Sequence, residues 1–559
     1  MAKKSRREFI KNTSLVSMSA LLVGSSQFPR IYSVFGGFDI LILNGTVIDG
    51  TGKKAYKADV GILGDKITAV GNLTNANAGR KIDASGLYIV PGFIDIHSHT
   101  DLDLIANPKA ESKVRQGVTL EVCGQDGSSY GSMSDKRAFG LSKRYDLKKP
   151  WRYIGDFLED FSNREFCLNL ATMVGLGTIR QLVVGMDDRP ATAEEIRKMK
   201  KEVEHAVMDG AVGVSTGLEY TPGSFASTKE LIEMCKAAPE KGRLYATHMR
   251  NEDNFVEEAV DEAIKIAQSS GSRLQISHLK VSGKTNWHKA DSVLGKIDVA
   301  IDKGLEIHAD RYTYIAYHTT LANLYPLWSR DGGSEKFIER LKDTSLKDTL
   351  KEFAEKKVQN LDGGWNGVLL SSIGGDDLKK YQGKTIKQIS EEEGEDPFIM
   401  ATELIIESGN NTNMVGFGME DESTDKVIAH PRVMIASDAG SHAPYPPMNK
   451  SIAHPRAYGT FPRAIAEYVR EKKICSLEEM IGKMSSMPAD KLHIKDRGRI
   501  IEGNKADIVL FDYGKIKDKA TFINSHQYPE GIPYVLVNGK LVINKGEHSG
   551  AMPGKVIKG

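Results

Sequence analysis

Apolar and polar positions along the 559-residue chain fall into three regimes. From residue 38 to 90, short apolar runs alternate with turn residues. The run 39–43 ends in Asn44-Gly45, a hairpin signal, and 59–63, 66–70 and 87–90 continue the pattern. Residues 493–559 read alike, with runs at 508–511, 534–537 and 540–543 and a second turn at Asn538-Gly539. Two strand-rich ends around a long middle predict one small β-sandwich domain assembled from both termini. The middle, residues 91–492, alternates short apolar strands with helical stretches, the mark of βα units and a parallel sheet. Eight strands are predicted, at 92–96, 118–123, 167–173, 213–215, 245–247, 274–277, 306–310 and 433–436. Eight βα units close an α/β (β/α)8 barrel, a fold that carries its chemistry at the carboxyl ends of its strands.

One connection breaks the rhythm. Residues 319–432, between the seventh and eighth strands, are too many for a plain βα link. Most of them read helical and charged, as in 335–357. This predicts a helical insertion over the barrel mouth, acting as a lid.

Composition narrows the partners. Lysine and arginine total 75 against 74 aspartate and glutamate, so no basic excess exists to bind a phosphate backbone, and nucleic acid is excluded as the natural partner. The four cysteines, at 123, 167, 235 and 475, form no C-x-x-C pair, which excludes a zinc ribbon or a thioredoxin motif. They are expected as buried thiols. Residues 1–30 stand apart from the fold. Ser5-Arg6-Arg7-Glu8-Phe9-Ile10-Lys11 resembles a twin-arginine export signal, followed by an apolar stretch, Leu15 to Gly24, too short to span a bilayer. The expectation is an exported, periplasmic protein. Lys3, Lys4, Arg6, Arg7 and Lys11, against Glu8, give this leader a net positive excess, so the remainder is mildly acidic.

The predicted strand ends carry a consistent chemistry. Strand one runs into Ile96-His97-Ser98-His99, and residues two apart on a strand point the same way, so both imidazoles face the barrel mouth. Strand five ends at His248, strand six at His278 and strand eight at Asp438. Neutral imidazole and carboxylate are the ligand types for zinc or a similar divalent ion. Four histidines and an aspartate at the carboxyl ends of four strands therefore predict a metal site for one or two divalent ions.

This arrangement resembles the amidohydrolase superfamily, with H-x-H on strand one, histidine on strands five and six, and aspartate on strand eight. Longer strings over residues 38–559 are similar to the N-acyl-D-amino-acid deacylases. They include Asp187-Asp188-Arg189-Pro190-Ala191-Thr192, Gly213-Val214-Ser215-Thr216-Gly217-Leu218-Glu219-Tyr220, Thr247-His248-Met249-Arg250-Asn251-Glu252 and His454-Pro455-Arg456-Ala457-Tyr458-Gly459-Thr460. The resemblance implies that His97, His99, His248, His278 and Asp438 hold zinc, and that Asp438 is also the general acid/base. It implies that Lys280 and Arg456 hold the substrate carboxylate, and that Tyr312 or Tyr314 touches the substrate. A guanidinium grips a carboxylate bidentately, and a nearby ammonium adds a second charge.

Two positions depart from the family pattern. Where the family has a cysteine or glutamate ligand after strand two, this chain has Gln125-Asp126. Asp126 is the candidate ligand, with Gln125, Cys123 or Glu219 as alternatives for the bridging place. Leu176 stands where the family often has histidine. The implied reaction is metal-dependent hydrolysis of N-acyl-D-amino acids to a carboxylate and a free D-amino acid. Two alternatives share the scaffold. One is an amidohydrolase for dipeptides with a C-terminal D-residue or for cyclic amides; the other is an inactive binding protein. The expected partner is a small anionic N-acylated amino acid.

Overall fold

The computed structural model describes residues 37–559, so the expected leader, residues 1–30, lies outside the described residues. Its centre is a closed ring of eight parallel strands. In chain order these are Phe93–Asp95, Val118–Cys123, Asn169–Thr172 continued by Val174–Gly175, Val214–Gly217, Leu244–His248, Arg273–Ile276, Ile307–Arg311 and Val433–Ile435. The third strand is broken at Met173: its first half pairs with strand two and its second half with strand four. Strands one and eight close the ring beyond their regular ends. Asp438 N–H donates to the His97 carbonyl at 2.9 Å, and His99 N–H to the Ala439 carbonyl at 3.1 Å. That closure sets two of the predicted site segments side by side.

Side-chain alternation explains the packing. Ile94, Ile96, Leu120, Val122, Ala171, Met173, Leu244, Ala246, Met434 and Ala436 fill the barrel interior. The helices cover the outside. The helix Ala193–Asp209 starts at a capping box of Thr192 and Glu195 and ends at Gly210, whose φ of 123° is open only to glycine.

The two chain ends form one nine-stranded sheet. Tyr88–Pro91, from the N-terminal part, pairs antiparallel with Ile508–Phe511, from the C-terminal part. Residues of both parts, among them Ile42, Val60, Ile89, Ile508, Leu510 and Leu536, share one core.

The insertion differs from the helical expectation. It contains a three-stranded antiparallel sheet of Tyr317–Thr320, Val368–Ile373 and Thr412–Gly416, with Thr412–Gly416 in the middle. Helices Ser334–Lys342, Lys347–Gln359, Ile386–Glu393 and Pro397–Glu407 accompany it. Tyr325, Phe337, Leu350, Leu370, Phe398, Leu404 and Met414 give it a core separate from that of the barrel. The insertion proper ends before residue 421, because the helix Asp421–Ala429 packs on the eighth barrel strand and on the helix Ala290–Asp302. No helix among the described residues is long and apolar enough to cross a membrane.

Candidate metal centre

The carboxyl ends of strands one, two, five, six and eight converge on one point. His97, Asp126, His278 and Asp438 form one group of donors whose atoms lie within 4.8 Å of one another, and His248, Glu252 and His278 form a second. The local backbone aims these side chains. Asp126, His278 and Asp438 all have positive φ, at 52°, 35° and 51°, in the left-handed region that non-glycine residues seldom occupy. Three such residues at one point are strain concentrated at a site.

Distances between the inward-facing atoms carry the chemistry. His97 Nε2 stands 3.5 Å from both Asp126 Oδ1 and Asp438 Oδ1. His99 Nε2 is 3.4 Å from Asp126 Oδ2 and 3.1 Å from Asp438 Oδ1. His278 Nε2 is 3.6 Å from Asp126 Oδ2 and 2.9 Å from His248 Nδ1. Most of these gaps are too wide for good hydrogen bonds, and His97 Nε2 and Asp126 Oδ1 are buried with no hydrogen-bond partner. Donors about 2.0–2.2 Å from a shared cation stand roughly 3.4 Å apart in a tetrahedral arrangement. The spacing and the orphaned atoms both fit a divalent ion.

The outward-facing ring nitrogens meet a second layer of carboxylates. Asp310 Oδ1 lies 3.3 Å from His97 Nδ1, Glu252 Oε1 2.9 Å from His278 Nδ1, and Glu219 Oε2 3.7 Å from His248 Nε2. Such outer carboxylates fix the tautomer and orientation of a ligand imidazole. Glu252 therefore belongs to the outer layer, although it falls within reach of the inner group: its second oxygen holds Lys280 Nζ at 2.6 Å. Sequence reasoning assigned no role to Asp310 or Glu252. Asp310 is the penultimate residue of the seventh strand, and Glu252 falls four residues after His248; position relative to a strand end was the available signal. Glu219, an alternative for the bridging place, stands on the outer side of His248 and accepts from Asn323 of the insertion at 3.2 Å. The insertion is thus fastened to the centre at this point.

Charge is balanced within the cluster. Burial raises the Asp126 carboxyl, but the His97 and His278 rings outweigh it and hold Asp126 well below the usual carboxylate range. At Asp438 burial is likewise overcome, first by Arg456 and then by His278 and His97. Burial lowers His99, and Asp126 and Asp438 reverse this, pushing it up to about 9.

The centre forms the floor of a cavity of about 680 Å³. Lys280, Arg456 and Tyr312 line it. Arg456 Nη1 donates to Asp438 Oδ2 at 2.6 Å, and its guanidinium carbon lies 4.6 Å from the Tyr312 ring centroid. The Tyr312 hydroxyl is buried without a partner. Tyr314 is corrected as a substrate contact: its hydroxyl donates to Asp518 Oδ2 at 2.8 Å, and it lies outside the cavity lining. Residues two apart would share a face on a regular strand, but Ile307–Arg311 has ended before either tyrosine. Cys123 packs in the layer between barrel and helices, outside both donor groups. Gln125 reaches the cavity, yet its amide donates to the Ile96 carbonyl at 2.8 Å. Leu176 is buried in the same apolar layer as Cys123, while Gly177 and Thr178 reach the cavity beside it.

The chain matches the amidohydrolase family over residues 80–543. It is 31% identical to the D-aminoacylase of Alcaligenes xylosoxydans xylosoxydans over 522 residues, which cover 93% of this chain and 97% of that protein. A crystal structure of N-acyl-D-glutamate deacylase from Bordetella bronchiseptica, complexed with zinc and a phosphonate mimic of the tetrahedral intermediate, superposes with a TM-score of 0.79. That match has 28% identity and covers 94% of this chain and 100% of the other. A D-aminoacylase structure described by its binuclear metal centre, with one-metal activation and second-metal attenuation, gives a TM-score of 0.77 at 30% identity, covering 93% of this chain and 100% of that one.

Proposed function

The chain belongs to the amidohydrolase family, and on that premise we propose that it hydrolyses the amide bond of N-acyl-D-amino acids, releasing a carboxylate and a free D-amino acid. One observation carries the reading: a donor cluster fitted to a divalent ion and two side-chain cations, Lys280 and Arg456, border the same cavity. His97, His99, Asp126, His248, His278 and Asp438 would hold the metal, zinc in this reading, as one ion or two. When bound, it supplies a Lewis acid for the scissile carbonyl and for the attacking water.

The chain's own groups do the rest. Asp438 is ionised, so it accepts a proton from the attacking water and returns it to the leaving amine nitrogen. Arg456 and Lys280 take the substrate α-carboxylate. Both already face carboxylates of the chain, Asp438 and Glu252, so binding exchanges ion-pair partners. Tyr312 has an unused hydroxyl to give to the substrate. Asp438, Lys280, Tyr312 and Arg456 are themselves buried, and their removal from water strengthens each of these contacts.

The test is a screen of paired N-acetyl-D- and N-acetyl-L-amino acids with the zinc-loaded protein. Hydrolysis restricted to the D-series supports the reading; equal rates on both enantiomers overturn it. Export through the twin-arginine route belongs to the same proposal and rests on Arg6 and Arg7. Replacing both by lysine should leave the protein in the cytoplasm on fractionation, and unchanged export would remove that part.

A further inference from the structure

The sheet of the insertion has two unlike faces. One packs into the insertion's own core through Val368, Leu370 and Met414. The other carries Leu369 and Val415 into a small cluster with Ala316 and then turns polar where it meets the cavity. Ser371, Ser372, Asn413, His318 and Thr320 all line the cavity there. On a regular strand Ser371 and Ser372 would point to opposite faces. Here the register between Val368–Ile373 and Thr412–Gly416 slips between Leu370 and Ser372, which makes Ser371 the extra residue of a β-bulge. The bulge lets both consecutive serines reach the cavity.

These side chains are arranged to bond something more than one another. His318 Nε2 and Ser371 Oγ are 2.8 Å apart, and Asn413 Nδ2 donates to Ser372 Oγ at 2.8 Å. Ser372 accepts in that bond and keeps its own proton to donate. Asn413 keeps its carbonyl oxygen to accept. None of the five is a lysine, arginine or carboxylate. His318 is neutral as well: burial, and then the Arg456 guanidinium, push it down to about 3.

We propose that this wall is a subsite for a neutral hydrogen-bonding group of the substrate, a carboxamide or a hydroxyl, carried on the amino-acid side chain or on the acyl group. The proposal rests on the N-acyl-D-amino-acid reading of the same cavity. An aliphatic group at the wall leaves donors and acceptors without partners, and a carboxylate is desolvated against a surface that carries no cation of its own. A site built to hydrogen-bond its ligand rejects an analogue lacking the group far more strongly than an apolar pocket rejects an added hydroxyl.

The experiment measures kcat/KM of the metal-loaded full chain on shape-matched substrates. One arm compares N-acetyl-D-asparagine with N-acetyl-D-leucine and N-acetyl-D-aspartate. The other compares N-glycolyl-D-leucine with N-propionyl-D-leucine. The hydrogen-bonding member should win by at least about 10-fold in one arm, and the arm that shows it identifies the source of the group. In Asn413→Leu, and in the milder Ser372→Ala if the first does not fold, the ratio of kcat/KM between the hydrogen-bonding and the apolar member should shrink. An active enzyme with no preference in either arm, or a preference that survives both substitutions, overturns the subsite. If no N-acyl-D-amino acid is hydrolysed at all, the underlying reading fails and the subsite falls with it.

Discussion

His97, His248 and His278 each turn one nitrogen inward and the other toward a carboxylate, so their roles follow from geometry that residue identity alone does not give. His97 and His278 each have an outer partner, Asp310 and Glu252, within 3.3 Å. Asp438 combines a place among the inward donors with an ion pair to Arg456. Asp438→Asn keeps the shape and removes the base, so kcat/KM should fall by roughly 10² to 10⁴. Metal content measured on the same sample separates a lost proton carrier from a lost ligand. The two tyrosines should separate as cleanly. Tyr312→Phe removes an unpaired hydroxyl from the cavity and should lower kcat/KM by about 10-fold with little change in Tm. Tyr314→Phe breaks the bond to Asp518 and should cost about 1 kcal/mol of stability with KM unchanged, read by thermal melts and steady-state kinetics.

At the scale of elements, a buried clamp holds the strand ends that carry the site. Lys113 Nζ reaches Glu121 at 2.7 Å, Asp95 at 2.9 Å, Ser437 Oγ at 2.8 Å and the Ala439 carbonyl at 2.7 Å, all fully enclosed. It thereby joins strands one, two and eight beneath His97, His99 and Asp438. Lys113→Met leaves two buried carboxylates without their cation and should destabilise the fold by about 3–5 kcal/mol, visible as a lowered denaturant midpoint. The barrel strands were legible because each is a short apolar run bounded by turns. The insertion sheet was not. Its strands are four to six residues long and far apart in sequence, so neither a hairpin turn nor a long alternation marks them. The charged helices between them dominate the local pattern.

For the molecule as a whole, metal and fold are separable. The barrel, the two-ended sheet and the insertion each have an apolar core away from the metal centre. A strong chelator should therefore abolish hydrolysis and leave the circular dichroism spectrum intact. Reloading should depend on pH. Burial lowers His97 and His99, but Asp126 and Asp438 raise both, His99 to about 9. A cation needs those ring nitrogens free of protons, so apparent metal affinity should rise with pH up to about 9 and weaken toward pH 6, as read by chelator competition. The sequence by itself determined the barrel, the shared domain of the two ends and the residues at the strand ends, because hydrophobic period and turn chemistry are local signals. The resemblance to the family's pattern after strand two offered Asp126 as the candidate there, with Gln125, Cys123 and Glu219 left as alternatives. Only the tertiary structure decided which nitrogen of each histidine faces inward, that Tyr312 and not Tyr314 meets the cavity, and that a bulged sheet forms its polar wall. Those features depend on contacts between segments tens to hundreds of residues apart, and no local pattern encodes where such segments meet.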